Sequence, residues 1–319
     1  MDHLRPTRFN SLMFIQCPMS SMARADYIRM ASPGSRATEI DAAPMRRIMS
    51  AVHLTPCSLR LRTCRRADND LLDEGVAALS AALRPRAAPG DGSWCFNATL
   101  TALHLHGVGM GVAGAAALAE ALAPQQQPSG AWEYGGSLKE LLLSENCIGD
   151  VGAAAIASVI APRQSAEGSW TFNTKLQRLL LAGNQIGSEG ATAVAEAIQP
   201  RQSQPAGCWS LASSLVYLSL ADNTIGAEAG AAMCRALLPR KNPDGGWVLH
   251  LRLQDFLLHG KDSEEAENAV RPALQACAVV RRHLAAPAGQ SQRSSGSTDS
   301  PASVDDVELL LGKMLPQVA

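Results

Sequence analysis

Along residues 175–200 the spacing of apolar side chains changes once, and the change predicts two elements. Leu179 and Leu181 alternate with polar or outward positions, the period of a short strand with one buried face. Beyond Gly187 and Gly190 the apolar residues Ala191, Val194, Ala195 and Ile198 recur at helical spacing, with Ser188, Glu189 and Glu196 off that face. Pro200 then ends the helix. Asn184 falls where the chain must turn, and its amide can both donate to and accept from loop backbone groups that lack a sheet partner. A strand and helix this short bury their apolar faces only against a neighbour of the same kind.

Such neighbours are present. Leu138, Leu141, Leu143, Asn146, Ile148 and Gly152 repeat the frame in full, and Leu215, Leu218, Leu220, Asn223 and Ile225 repeat it with Ala229 in place of the last glycine. Leu100, Leu103, Leu105, Met110 and Gly114 keep the frame with Val108 at the asparagine position. A weaker copy is expected at Leu61, Cys64, Asn69, Leu71 and Gly75, with Arg66 at an apolar place, and a last one at Val248, Leu251, Leu253, Phe256 and Leu258. Degenerate end copies suit the caps of a stacked array. All five tryptophans follow the same period: Trp94, Trp132, Trp170, Trp209 and Trp247 are separated by 38, 38, 39 and 38 residues.

The recurring L-x-x-L-x-L-x-x-N-x-I-G-x-x-G frame with its alanine-rich helix resembles leucine-rich repeats of the ribonuclease-inhibitor class, found also in NOD-like receptors and in the Ran GTPase-activating protein. The resemblance covers about residues 59–284. It implies an α/β solenoid, a horseshoe with a concave parallel sheet and convex helices, of about six repeats of 38 or 39 residues, used mainly for protein binding. The repeats run about ten residues longer than that class usually does. The surplus lies between helix and next strand, as in residues 162–174 and 200–214, where Pro, Gly, Ser and Gln predict loops pinned by the tryptophan. A Pro-Arg pair precedes most of these tryptophans, giving Arg86, Arg163, Arg201 and Arg240 but Gln125 in one copy. Seven or eight residues separate each arginine from its Trp, so the loop is expected to fold back and stack guanidinium on indole. That stack serves stability, or else a second interaction ridge.

Composition narrows the function. A net charge of −1 offers no bulk attraction to nucleic acid or an acidic membrane, and no stretch approaches the ~20 apolar residues of a membrane span. Eight cysteines (Cys17, Cys57, Cys64, Cys95, Cys147, Cys208, Cys234, Cys277) form no C-x-x-C pair and no zinc-finger set, as suits reduced thiols in the cytoplasm, with nucleus or organelle as alternatives. Residues 1–50 read as a disordered leader or, from Arg5, Arg8, Arg24 and Arg29 against Asp2 and Asp26, a targeting peptide. Residues 51–284 are the solenoid with a C-terminal cap, whose final helix over 264–284 contains Pro272 as a candidate break. Residues 285–302 have linker composition, and 303–319 a short amphipathic helix and tail with Val307, Leu310, Leu311 and Met314 in one stripe. That helix is either a fraying end or a tethered peptide that docks on a partner or on the solenoid.

In this frame the side chains flanking the buried strand leucines face the concave side. One column reads Arg65, His104, Leu142, Leu180, Ser219 and Arg252, and the next reads Thr63, Ala102, Glu140, Arg178, Tyr217 and His250. Leu142 and Leu180 should lie exposed side by side, flanked by Glu140, Arg178 and Tyr217, a composition typical of protein-binding hot spots; the bland alternative is the leucine bias of the strands. The expected partner-binding set is therefore Glu140, Leu142, Arg178, Leu180, Tyr217, His104 and Arg252. His104 and His106 share a strand face, but no third ligand sits at the matching places of the adjacent strands, where Glu140 is the nearest candidate, so no metal is expected. Neither a G-x-S-x-G elbow, a Walker loop nor an H-E-x-x-H motif is present, so no cofactor is called for and the chain is not expected to be an enzyme. The favoured partner is another protein. Regulation of a small GTPase is the alternative suggested by the resemblance, although that family's functional residues and acidic C-terminal run have no counterpart here. Ligand sensing of the NOD-like-receptor type is a third, and would need a separate partner to signal.

Overall fold

The computed structural model describes residues 13–16, 57–62, 71–88, 90–98, 100–203, 207–211, 214–250, 252–260, 263–285 and 308–309. Period-2 leucines become strands of one sheet: β1 (Met13–Gln16), β2 (Cys57–Arg62), β5 (Leu100–His106), β8 (Glu140–Leu142), β11 (Arg178–Leu180), β14 (Tyr217–Ser219) and β17 (Asp255–Leu257), hydrogen-bonded in that order. From β2 onward every pairing is parallel, while β1 runs antiparallel against β2 with Met13 opposite Leu61. Parallel neighbours require a crossover, and helices supply it. They are α1 (Leu72–Leu83), α2 (Val112–Leu122), α3 (Gly149–Ile160), α4 (Ser188–Ile198), α5 (Ala227–Leu237) and α6 (Glu264–Ala285). Leu141, Leu143, Leu179, Leu181, Leu218 and Leu220 are all but inaccessible, and pack in one continuous core with Ile156, Val194 and Met233 of the helices.

Two devices tie coils to their neighbours. Asn146 Oδ1 accepts from Val108 N at 3.0 Å and Met110 N at 3.1 Å, while its Nδ2 donates to Leu105 O at 2.7 Å and Leu143 O at 2.8 Å. Asn223 does the same for the coil before it, accepting from Asn184 N and Ile186 N and donating to Leu181 O and Leu220 O. Helix starts are capped from the preceding coil as well. Asp73 Oδ1 accepts from Gly111 N and Gly114 N, both at 2.7 Å, and Asp150 Oδ1 from Gly187 N at 2.7 Å and Gly190 N at 2.9 Å. A Cβ on Gly190 would stand 2.7 Å from Asp150 Oδ1 and 2.8 Å from its Cα, so this close approach requires glycine. Val112 holds the matching place ahead of α3 and cannot accept; Gly149 N donates instead to Asn184 O.

The inserted segments, expected to be loops, are two-stranded hairpins. They are β3 (Arg86–Ala87) with β4 (Trp94–Cys95), β6 (Gln125–Gln126) with β7 (Trp132–Glu133), β9 (Arg163–Gln164) with β10 (Trp170–Thr171), β12 (Arg201–Gln202) with β13 (Trp209–Ser210), and β15 (Arg240–Lys241) with β16 (Trp247–Val248). Each Trp opens a second strand, which explains its constant spacing. The expected stacking is corrected in its partner: Arg163 lies over Trp132, Arg201 over Trp170 and Arg240 over Trp209, at 5.1–5.6 Å, so each guanidinium covers the indole of the coil before. Trp132 and Trp170 Nε1 donate in turn to Gln164 O and Gln202 O of the following hairpin, each at 3.1 Å. The hairpins therefore form a second line of contact between coils.

Both end coils depart from the expected register. Leu59 and Leu61, not Cys64 and Arg66, pair with Leu103 and Leu105, because the first connection from strand to helix is five residues longer than the next: Leu61 to Gly75 spans 14 positions, and Leu105 to Gly114 spans 9. At the other end Phe256, not Leu251, pairs with Leu218. Four residues of the expected leader, Met13–Gln16, are a strand; the rest of residues 1–50, the linker and most of 303–319 lie outside the described residues, although Glu308 and Leu309 are helical and Glu308 pairs with Lys241. Pro272 lies inside α6, which continues through it.

His250 is buried, with Nε2–H donating to Ile198 O at 3.1 Å. Burial lowers its pKa to about 4, outweighing the opposing carbonyls of Ile198 and Ala236, and Arg281 adds to the lowering. The unfolded chain, with an ordinary imidazole near ~6.5, takes up the proton first, so stability is retained above that pH and lost as pH falls toward the folded value. Chemical denaturation at pH 7 and pH 5 should show a loss of about 2 kcal/mol from this group, which His250→Gln removes from the pH dependence. Asp150→Ala, which orphans two amides at the start of α4, should lower stability by about 1–2 kcal/mol in thermal unfolding.

Candidate partner-binding face

Register across the sheet sets two columns of outward side chains. Ala102, Glu140, Arg178, Tyr217 and Asp255 face one another in sequence, and His104, Leu142, Leu180, Ser219 and Leu257 form the next column. On the β2 side the backbone positions are Ser58 and Arg60. Leu142 and Leu180 are adjacent and half-buried, in contrast to the inaccessible leucines on either side of them in sequence.

Next to these leucines a polar chain crosses four strands. His104 Nε2 and Glu140 Oε2 are 2.9 Å apart, the other Glu140 oxygen lies 3.7 Å from Arg178 Nη1, and Arg178 rests over the Tyr217 ring at 5.4 Å. His104 is buried among its neighbours, while Arg178 remains nearly half exposed. The carboxylate and the ring fix the guanidinium plane, so a flexible side chain is ordered before anything binds. His106 pairs separately with Glu145 at 3.4 Å. The two histidines thus serve two different carboxylates, and among the described residues no group of three or more His, Cys, Asp or Glu side chains could hold a metal ion.

Six of the expected residues come together here: His104, Glu140, Leu142, Arg178, Leu180 and Tyr217. Arg252 does not. It lies in an exposed turn before β17, and Leu257 occupies the place expected for it. His250 likewise gives way to Asp255 and turns into the core. Arg65 and Thr63 lie outside the described residues, and the register of β2 puts Arg60 and Ser58 in their columns. Asp255 and Leu257 were legible in principle: the period of 38 counted from Leu218 lands on Phe256.

A model of the leucine rich repeat family matches residues 137–157, 172–195 and 212–234, the spans that fold into β8 to α3, β11 to α4 and β14 to α5. Repeats, parallel sheet and alternating helices together make this a leucine-rich repeat protein, with an α/β solenoid of about six coils. No curated protein matches the chain. Among the described residues no helix is long and apolar enough to cross a membrane.

The hairpin line has one missing rung. Gln125 stands where Arg163, Arg201 and Arg240 stand in later coils, so Trp94 has no guanidinium from the following hairpin. Gln125→Arg should raise stability by about 0.5–1 kcal/mol, and Arg201→Ala should lower it by a similar amount or more, both read from denaturant midpoints.

Proposed function

We propose that the chain is a scaffold of ribonuclease-inhibitor-like repeats that binds another protein through the outward face of its parallel sheet. The observation that carries this is the pair Leu142 and Leu180, side by side and half-buried, beside an Arg178 held between Glu140 and Tyr217. Leucine-rich repeats in general mediate protein–protein interaction. Apolar surface next to a pre-ordered Arg and a Tyr supplies binding free energy with little side-chain entropy left to lose. His104 and Glu140 act as the support of that arrangement. The free thiols Cys95, Cys147, Cys208, Cys234 and Cys277 suit a reducing compartment.

Replacing Leu142, Arg178 and Tyr217 together by alanine should weaken partner binding by about 100-fold or more, with the circular dichroism spectrum retained. Undiminished partner recovery by that variant would refute this face.

A further inference from the structure

The last rung of the hairpin line differs from the others at one position. Across the two strands of each hairpin the residue paired with the tryptophan is Ala87, Gln126, Gln164, Gln202 and finally Lys241. Where glutamine stands there, its Nε2 donates to a carbonyl of its own hairpin turn: Gln126 to Gly130 O at 3.0 Å, Gln164 to Gly168 O at 3.1 Å and Gln202 to Gly207 O at 2.8 Å. Lys241 directs its ammonium out of the hairpin instead, to the carboxylate of Glu308 in the C-terminal segment. The same Nζ lies 5.7 Å from the centre of the Trp247 ring.

Trp247 also lacks what a following hairpin gives the others. Trp132, Trp170 and Trp209 are each covered by an arginine of the next rung, and Trp132 and Trp170 donate Nε1–H to its backbone. Among the described residues no hairpin follows β15 and β16, and the segment that reaches this end is the one carrying Glu308 and Leu309, both helical. The sequence around them supplies an apolar stripe of Val307, Leu310, Leu311 and Met314. Leu309 is 62% exposed and stands about 150° round a helix from the middle of that stripe, so the leucine left outside is the one on the opposite face. A helix this short is marginal in water without a surface to lie on. A linker with the composition of residues 285–302 reaches on the order of 20–25 Å and holds a tethered segment at roughly millimolar effective concentration, so modest contacts suffice.

We propose that residues 303–315 dock as a helix on the open end of the hairpin line and serve as its terminal rung: Glu308 holds Lys241, and the apolar stripe covers the half-buried Trp247. The C-terminal segment thereby takes the place that a further hairpin would hold. This does not depend on the protein-binding reading of the sheet face, which shares no residue with it.

The test is amide hydrogen exchange over residues 303–315 in the full chain, compared with Lys241→Glu, Glu308→Lys, the two reversals together, and Leu310→Ser with Leu311→Ser. Expected in the unaltered chain is exchange at least tenfold slower than in the free peptide 303–319, by the same factor at every protein concentration. Each single reversal should return most of that protection, the double reversal should restore it, and the serine pair should abolish it while the thermal midpoint of the solenoid stays within a few degrees. Exchange at the free-peptide rate in the unaltered chain would overturn the proposal. So would protection that survives the serine pair or both single reversals, or a double reversal that fails to restore it. Protection that grows with protein concentration would assign the contact to a second copy of the chain and overturn docking within one molecule.

Discussion

In the central coils the strand ends leave backbone amides and carbonyls without a backbone partner in their own coil, and side chains must meet them. The adjoining coil supplies the partners, through asparagine side chains that accept with one atom and donate with the other, as Asn146 does for Val108, Met110 and Leu105. A buried amide left unpaired costs on the order of 1–3 kcal/mol, comparable to a sizeable share of a domain's net stability, so a coil is stable only in a stack. Asp73 and Asp150 extend the same dependence to the helix starts, and the glycines opposite them are needed because the capping carboxylate lies so close.

Stacking in turn dictates where a partner can be held. Parallel strands sit about 4.8 Å apart, whereas helix axes approach no closer than about 8 Å, so a regular stack must bend with its strands inside. Alanine and glycine on the facing helix surfaces keep that difference small; Ala115 lies 3.1 Å from where a Cβ on Gly152 would be. Side chains on the inner face are crowded into contact, which is why His104, Glu140, Arg178 and Tyr217, from four different strands, form one connected chain. The Trp and Arg hairpins reinforce the outer course of the stack, each guanidinium covering the preceding coil's indole.

The central coils were legible because three signals coincide in them: period-2 leucines, the asparagine, and the glycines. At the first coil the alternation of Leu59 and Leu61 competes with a downstream glycine, Gly75, that keeps the usual distance from the next coil's glycine, and the extra five residues between them conceal the strand. At the last coil Leu251 and Leu253 offer a false strand, while the true one contains Phe256 and Leu257 and is followed by no asparagine. Hairpins of two residues per strand have no periodicity to read, so their segments look like loops.

By itself the sequence determined the repeat, its length, the buried leucines and the two outward columns across the central strands, because these follow from side-chain periodicity, which is a local property. Which coil's arginine meets which tryptophan, the connection of Glu140 to His104 and Arg178 at once, and the inward turn of His250 were decided only by the tertiary structure. Those are contacts between residues some 31 to 52 positions apart, and their geometry depends on the register in which one coil settles on the next.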